Sequence, residues 1–166
     1  LRTFRVTVNP VNDAPTAADI AVATQEDTPA EIAPFPTYAS DVDDATLMVA
    51  ALGTPAHGVA STTGVTITYT PTPDFNGADA FTYTVRDAGG LQATARITVT
   101  VGSVNDPPVA ANDSAVTNED TPITIAVLDN DSDPENQDLF IVAVGAPALG
   151  HATIVGSALQ YAPTPT

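Results

Sequence analysis

The chain repeats itself, and that repeat constrains its fold more than any other feature. Val11-Asn12-Asp13-Ala14-Pro15 returns as Val104-Asn105-Asp106-Pro107-Pro108 at an offset of 93 residues. Glu26-Asp27-Thr28-Pro29 returns as Glu119-Asp120-Thr121-Pro122 at the same offset. Asp41-Val42-Asp43 meets Asp131-Ser132-Asp133 at 90, and Tyr69-Thr70-Pro71-Thr72-Pro73 meets Tyr161-Ala162-Pro163-Thr164-Pro165 at 92. Phe4–Val8 matches Ile97–Val101 at 93. Five blocks in one order make a tandem array of one structural unit. They predict residues 1–10 as the last strand of a preceding repeat, 11–103 as a complete repeat, and 104–166 as a partial repeat. Thr166 aligns with Asp74, so the partial repeat is expected to lack its last two strands. An apolar edge from Val142, Val144, Ile154 and Tyr161 should then be exposed, and a neighbouring chain could cover it, Phe4–Val8 being a strand without its own domain. With no signal peptide and no initiator Met, the sequence is expected to be a piece of something longer.

Wherever a period is readable it is two. Phe81, Tyr83 and Val85 alternate with Thr82 and Thr84, and Ala93, Ala95, Ile97, Val99 and Val101 alternate with Thr or Arg, the pattern of half-buried antiparallel strands. Asp outnumbers Glu by 16 to 4 and there are 15 prolines, a balance that favours turns and short strands over long helices. Strands are predicted near 19–24, 30–35, 46–52, 57–62, 65–70, 79–86 and 91–102. Seven short strands in one repeat, with turn residues between them, predict an all-β protein of immunoglobulin-like Greek-key β-sandwiches in tandem.

Charge and composition exclude several function classes. With 20 acidic residues against 4 basic ones, the formal charge is −16, so no nucleic-acid partner is expected, because phosphate recognition needs clustered Lys or Arg. The basic residues are Arg2, Arg5, Arg86 and Arg96; the lack of any lysine rules out Schiff bases and Lys–Asn isopeptide links. Zero cysteine removes disulfides, thiolate nucleophiles and cysteine metal sites. No stretch reaches the roughly 18 apolar residues of a membrane span, so no direct insertion into a membrane is expected. His57 and His151 are the only histidines and stand in no Gly-x-Ser-x-Gly or His-Glu-x-x-His setting. His57, at a hairpin, reads as a turn residue. No catalytic residue is expected, and no enzyme.

The strand count sorts the loops. Alternating directions place the loop with Asp41, Asp43 and Asp44, the loop with Asp87 and the incoming linker Asn12-Asp13 at one end of the first repeat. Glu26, Asp27, Asp74 and the outgoing linker Asn105-Asp106 fall at the other end, and that linker leads to Asp131 and Asp133 of the next repeat. Crowded carboxylates repel unless a cation intervenes, and hard oxygen ligands in number suit Ca2+. Clustered Asp at the junction is therefore predicted to hold calcium. Isolated Asp19, Asp79 and Asp138 read as solvated turn residues.

Asn-Asp-x-Pro in the linker, Glu-Asp-Thr-Pro after it, Asp-x-Asp in a loop and Arg86-Asp87-Ala88-Gly89-Gly90 stand in the same order as the cadherin calcium motifs and resemble them. Pro55-Ala56-His57-Gly58, Tyr69-Thr70-Pro71, Asp74-Phe75-Asn76-Gly77 and Phe81-Thr82-Tyr83-Thr84-Val85 resemble the bacterial cadherin-like (VCBS-type, Ig-like) tandem repeats of large secreted adhesins. The resemblance covers essentially the whole chain. It implies calcium at the junctions, held on one side by Glu26, Asp74, Asn105, Asp106, Asp131 and Asp133, and in the upper site by Asn12, Asp13, Asp41, Asp43 and Asp87. It further implies a rigid extracellular extender, secreted or cell-surface, whose partners are neighbouring repeats, with homophilic contacts or a cell-surface glycan beyond them. Cadherins carry a Leu-Asp-Arg-Glu run where only Asp74 stands here, so fewer ions are expected at that junction.

Three other readings compete. Asp129-Asn130-Asp131-Ser132-Asp133 opens like an EF-hand, but Pro134 takes the place of the required Gly and Phe140 that of the bidentate Glu. A carbohydrate-binding β-sandwich would want exposed aromatic platforms; the chain has no Trp, and Tyr38 is the candidate left. The third alternative is a surface-filament repeat without a ligand.

Overall fold

A computed structural model describes residues 3–164. Leu1, Arg2, Pro165 and Thr166 lie outside the described residues, and with them the ends of the repeat alignment drawn to Pro165 and Thr166. The chain divides into two compact units, Leu1–Val104 and Asn105–Thr166.

In unit 1, β1 (Thr16–Ala17) and β4 (Ala39–Ser40) form a two-residue ladder. One sheet orders β2 (Ile20–Gln25), β9 (Gln92–Gly102), β8 (Gly77–Arg86) and β5 (Met48–Leu52) side by side. The other orders β3 (Ala30–Ile32), β7 (Ile67–Pro71) and β6 (Gly58–Thr62). The seven strands read from period and turn residues are these, within a few residues at their ends. The two-residue β1 and β4 carry no alternation and were not legible. β2 runs parallel to β9, with Ile20 opposite Ile97, and the other pairings are antiparallel. Parallel pairing of first and last strands is what an even number of reversals between them requires, and seven alternating strands have six.

The inward positions make the core. Ile67, Tyr69, Tyr83, Val85, Ile97 and Val99 have no exposed surface, and Ile20, Ile32, Val49 and Phe81 pack with them from both sheets. The Tyr83 hydroxyl donates to the Ala18 carbonyl at 2.7 Å, tying the segment before β2 to β8. Burial raises the pKa of this phenol.

Unit 2 repeats part of this plan. β10 (Ile123–Ile125), β12 (Ala158–Ala162) and β11 (His151–Val155) form one antiparallel sheet, the counterpart of β3-β7-β6. Residues 139–145, which align with β5, form no strand. β5 exists by bonding to β8, and no counterpart of β8 stands among the described residues. Val142 is 94% exposed accordingly, while Val144 and Tyr161 are half-buried. Phe4–Val8 is likewise no strand, since none of the described strands lies beside it to complete a ladder.

Candidate metal centre

At the end of unit 1 where its chain enters, two loops close on the linker. Asn12 Nδ2 donates to Asp87 Oδ2 at 2.8 Å, and the backbone N–H of Asp13 donates to Asp43 Oδ2 at 2.9 Å. Asp41 Oδ1 accepts the N–H groups of Asp43 (2.7 Å) and Asp44 (2.9 Å), an Asx turn that fixes the shape of the loop. Asp44 Oδ2 accepts the N–H of Ala88 at 2.9 Å, so the loop after β4 is tied to the loop after β8. Gly89 leaves room for the Asn12 side chain: a Cβ there would stand 2.6 Å from Asn12 Nδ2 and displace it. Asn12, Asp13, Asp41, Asp43 and Asp87 are therefore brought to one place. Asp87 is buried, and burial opposes its ionisation. The bonds from Asn12, Leu91, Gly90 and Gly89 outweigh that and lower its pKa. Asp41 keeps a second oxygen, Oδ2, buried without a hydrogen-bond partner.

At the opposite end of unit 1 the turn after β2 holds Glu26 and Asp27. Asp27 and Asp74 both take the left-handed backbone conformation, with φ of 56° and 58°, which Asp tolerates better than most residues. A carboxylate oxygen of one comes within 4.8 Å of the other. Glu26 is 2% exposed; its Oε1 accepts the N–H of Val104, and its own N–H donates to the Gly102 carbonyl at 2.9 Å. Its Oε2 is buried with no hydrogen-bond partner.

Unit 2 gathers Asn105, Asp106, Asp131 and Asp133 in the same manner. Asn105 Nδ2 donates to the Asp106 carbonyl at 3.2 Å, as Asn12 Nδ2 does to that of Asp13 at 3.3 Å. The N–H of Asp106 donates to Glu135 Oε2 at 3.0 Å, and Gln137 Nε2 donates to Asn105 Oδ1. Asp131 Oδ1 accepts the N–H of Ala111, and Asp133 Oδ1 those of Glu135 and Gln137. Glu135 is a residue that sequence reasoning missed, because its counterpart in the first repeat is Ala45. Its place two residues past Asp133, in a loop already rich in carboxylates, was the available signal. The ligand set expected at the junction divides between the units: Glu26 and Asp74 belong to unit 1, and the other four to unit 2.

Asp79 needs a correction. Read as a solvated turn residue, it is 5% exposed and accepts four hydrogen bonds: from the N–H groups of Ala56 (3.0 Å), His57 (2.8 Å) and Ala80 (2.7 Å), and from the Tyr69 hydroxyl (2.9 Å). Burial works against its charge, but the four donors prevail and its pKa is lowered. Tyr69 is pushed up, by burial first and by Asp79 after it. Alternation along β8 would have found it, since Asp79 shares the inward parity of Phe81 and Tyr83. Asp19 and Asp138 are exposed. His57 stacks on Phe75, ring centres 4.2 Å apart.

Fold and loop ends together define an immunoglobulin/cadherin-like β-sandwich repeat with acidic residues collected at the ends of its units. A family model of the bacterial Ig domain matches residues 12–100 and again 105–166, and the chain belongs to that family. No curated protein matches it. Solved structures similar to it include a nucleoside hydrolase-related hypothetical protein from Saccharophagus degradans associated with carbohydrate metabolism (16% identity, TM-score 0.40, 54% of this chain and 26% of that one). An endo-fucoidan hydrolase of glycoside hydrolase family 107 is similar at 19% identity and TM-score 0.40, over 96% of this chain and 25% of that one. The extracellular cadherin domains 1–4 of protocadherin gamma B7 are similar at 17% identity and TM-score 0.49, over 92% and 42%. The chain thus spans between a quarter and about two fifths of the solved chains it resembles.

Proposed function

We propose that this chain is a calcium-binding, non-catalytic extender module of a large extracellular bacterial surface protein, in which Ca2+ stiffens the junctions between successive repeats. The observation that carries the reading is Glu26. A carboxylate that is 2% exposed, with one oxygen lacking any hydrogen-bond partner, is costly unless a cation meets it, and the chain has no lysine to do so. Asp41 Oδ2 poses the same demand at the other end of unit 1. The donors on offer are carboxylates, amides and carbonyls, without nitrogen or sulfur ligands, which suits Ca2+. Extracellular calcium modules bind at roughly 10⁻⁴–10⁻³ M, matched to calcium outside cells. In this reading Glu26 and Asp74 act with Asn105, Asp106, Asp131 and Asp133 on shared calcium, and Asn12, Asp13, Asp41, Asp43 and Asp87 form the corresponding site toward a preceding repeat.

Calorimetric titration of the chain with Ca2+ tests this. Heat of binding at submillimolar to millimolar calcium is expected, with little from Mg2+. Glu26→Gln should weaken the tightest step about tenfold, near 1.4 kcal/mol. A chain that takes up no calcium, or a Glu26→Gln variant that titrates like the parent, would overturn the reading.

A further inference from the structure

The carboxylates avoid one part of each repeat. Residues 45–73 and 139–166 contain no Asp, Glu, Lys or Arg, in a chain whose net charge is −16. In unit 1 that neutral stretch includes β6, an edge strand. In unit 2 it includes β11, the edge strand at the corresponding place.

Sheet edges are normally guarded against pairing with other chains by charge, proline or bulges. Three edges of unit 1 follow that rule. β2 lies between Asp19 and the Glu26–Asp27 turn, β3 carries Glu31, and β5 is bulged between Val49 and Ala51. β6, Gly58-Val59-Ala60-Ser61-Thr62, has no charge, no proline and an unbroken register with β7. The bonds from Thr72 N–H to the His57 carbonyl and from Thr63 N–H to the Thr66 carbonyl fix which groups face inward. By antiparallel alternation, Val59 and Ser61 bond to β7, while Gly58, Ala60 and Thr62 turn their backbone N–H and C=O groups outward. β11 pairs with β12 in the same register relation, so Ala152 and Ile154 turn outward there. Val59 is 69% exposed and Val155 55%.

We propose that these neutral edges pair with the same edges of a second copy of this chain, strand against strand and antiparallel. The occupant follows from charge and symmetry. Two copies that meet through any acidic face bring carboxylates together, whereas the β6 edge brings none. Antiparallel pairing centred on Ala60 is self-complementary, setting Gly58 against Thr62 of the second copy, as a two-fold contact requires. The recurrence of the same unguarded edge in both repeats, although the residues of β6 and β11 differ, gives each chain two such contacts and hence avidity between arrays.

Sedimentation velocity of the full chain, at rising concentration and in both calcium and chelator, tests this. Reversible self-association is expected in both media, so its failure is distinct from failure of the calcium reading. The double variant Val59→Asp/Ile154→Asp should lower the association constant at least tenfold, and so should Ala60→Pro/Ala152→Pro, which removes outward donors while sparing the bonds to β7 and β12. Val142→Asp, on an exposed residue away from both edges, should leave it unchanged. Circular dichroism confirms that each variant is folded. A chain that stays monomeric at millimolar concentration overturns the proposal. So does association that survives both edge variants or is lost with Val142→Asp.

Discussion

At the scale of single residues, Asp79 decides more than any other carboxylate about the stability of unit 1. It joins β8 to β7 through Tyr69 and to the segment before β6 through Ala56 and His57. Removing it takes the nearer partner from a buried phenol and the shared acceptor from three backbone donors, and unpaired buried donors cost more than their bonds contribute net. Asp79→Ala should destabilise unit 1 by about 2–4 kcal/mol, measured by urea unfolding. The pH dependence follows from the direction of its shift. A carboxylate held below its ordinary pKa adds stability that is fully present above that value and is lost as pH falls through the folded pKa. The protein should therefore lose stability progressively from about pH 4 downward. Asp79→Asn should flatten that slope, and an unchanged slope would assign the acid sensitivity to other groups.

At the scale of elements, the pairing of β6 with β7 depends on a glycine that both repeats share in kind. A Cβ at Gly58 would stand 2.6 Å from the Thr70 carbonyl oxygen and 2.7 Å from the Tyr69 ring. At Gly150 it would meet the Ala162 carbonyl oxygen and the Tyr161 hydroxyl. The tyrosine fills the space in each case, its hydroxyl donating to a carbonyl in the turn: His57 at 3.2 Å in unit 1, Leu149 at 2.7 Å in unit 2. Since the obstruction is partly backbone, Gly58→Ala should cost about 1–3 kcal/mol of overpacking. Thermal unfolding reads this directly, and a variant as stable as the parent would mean that β6 can shift without loss.

At the scale of the whole molecule, the loops at the entry side of unit 1 are tied together by hydrogen bonds before any ion is considered. Calcium is therefore expected to order the junction more than to fold the sandwich. In chelator the circular dichroism of strands should persist. Calcium at ten times its dissociation constant should add about 1.4 kcal/mol to the state that binds it. Scattering should then show a narrower spread of distances between the two units in millimolar Ca2+ than in chelator, and Asp106→Ala should remove that difference. Identical curves with and without calcium would return the carboxylates to the role of turn residues.

The sequence by itself determined the class of fold and the position of seven strands, because alternation and turn chemistry are local and the repeat tests each assignment twice. Phe81, Tyr83 and Val85 declared an inward face without any knowledge of what they would meet. It also marked Asn12, Asp13, Asp41, Asp43 and Asp87 as residues of one end, since counting strand reversals needs only the order of elements. Tertiary structure alone decided what depends on a distant neighbour. Asp79 became a buried hub because Tyr69 and the Ala56–His57 backbone reach it from other strands. Residues 139–145 remained without a strand, despite a pattern like that of β5, because a ladder needs a partner. Glu26 acquired a buried, unpartnered oxygen because β9 ends beside it, and burial of that kind belongs to the packed chain, never to the residue.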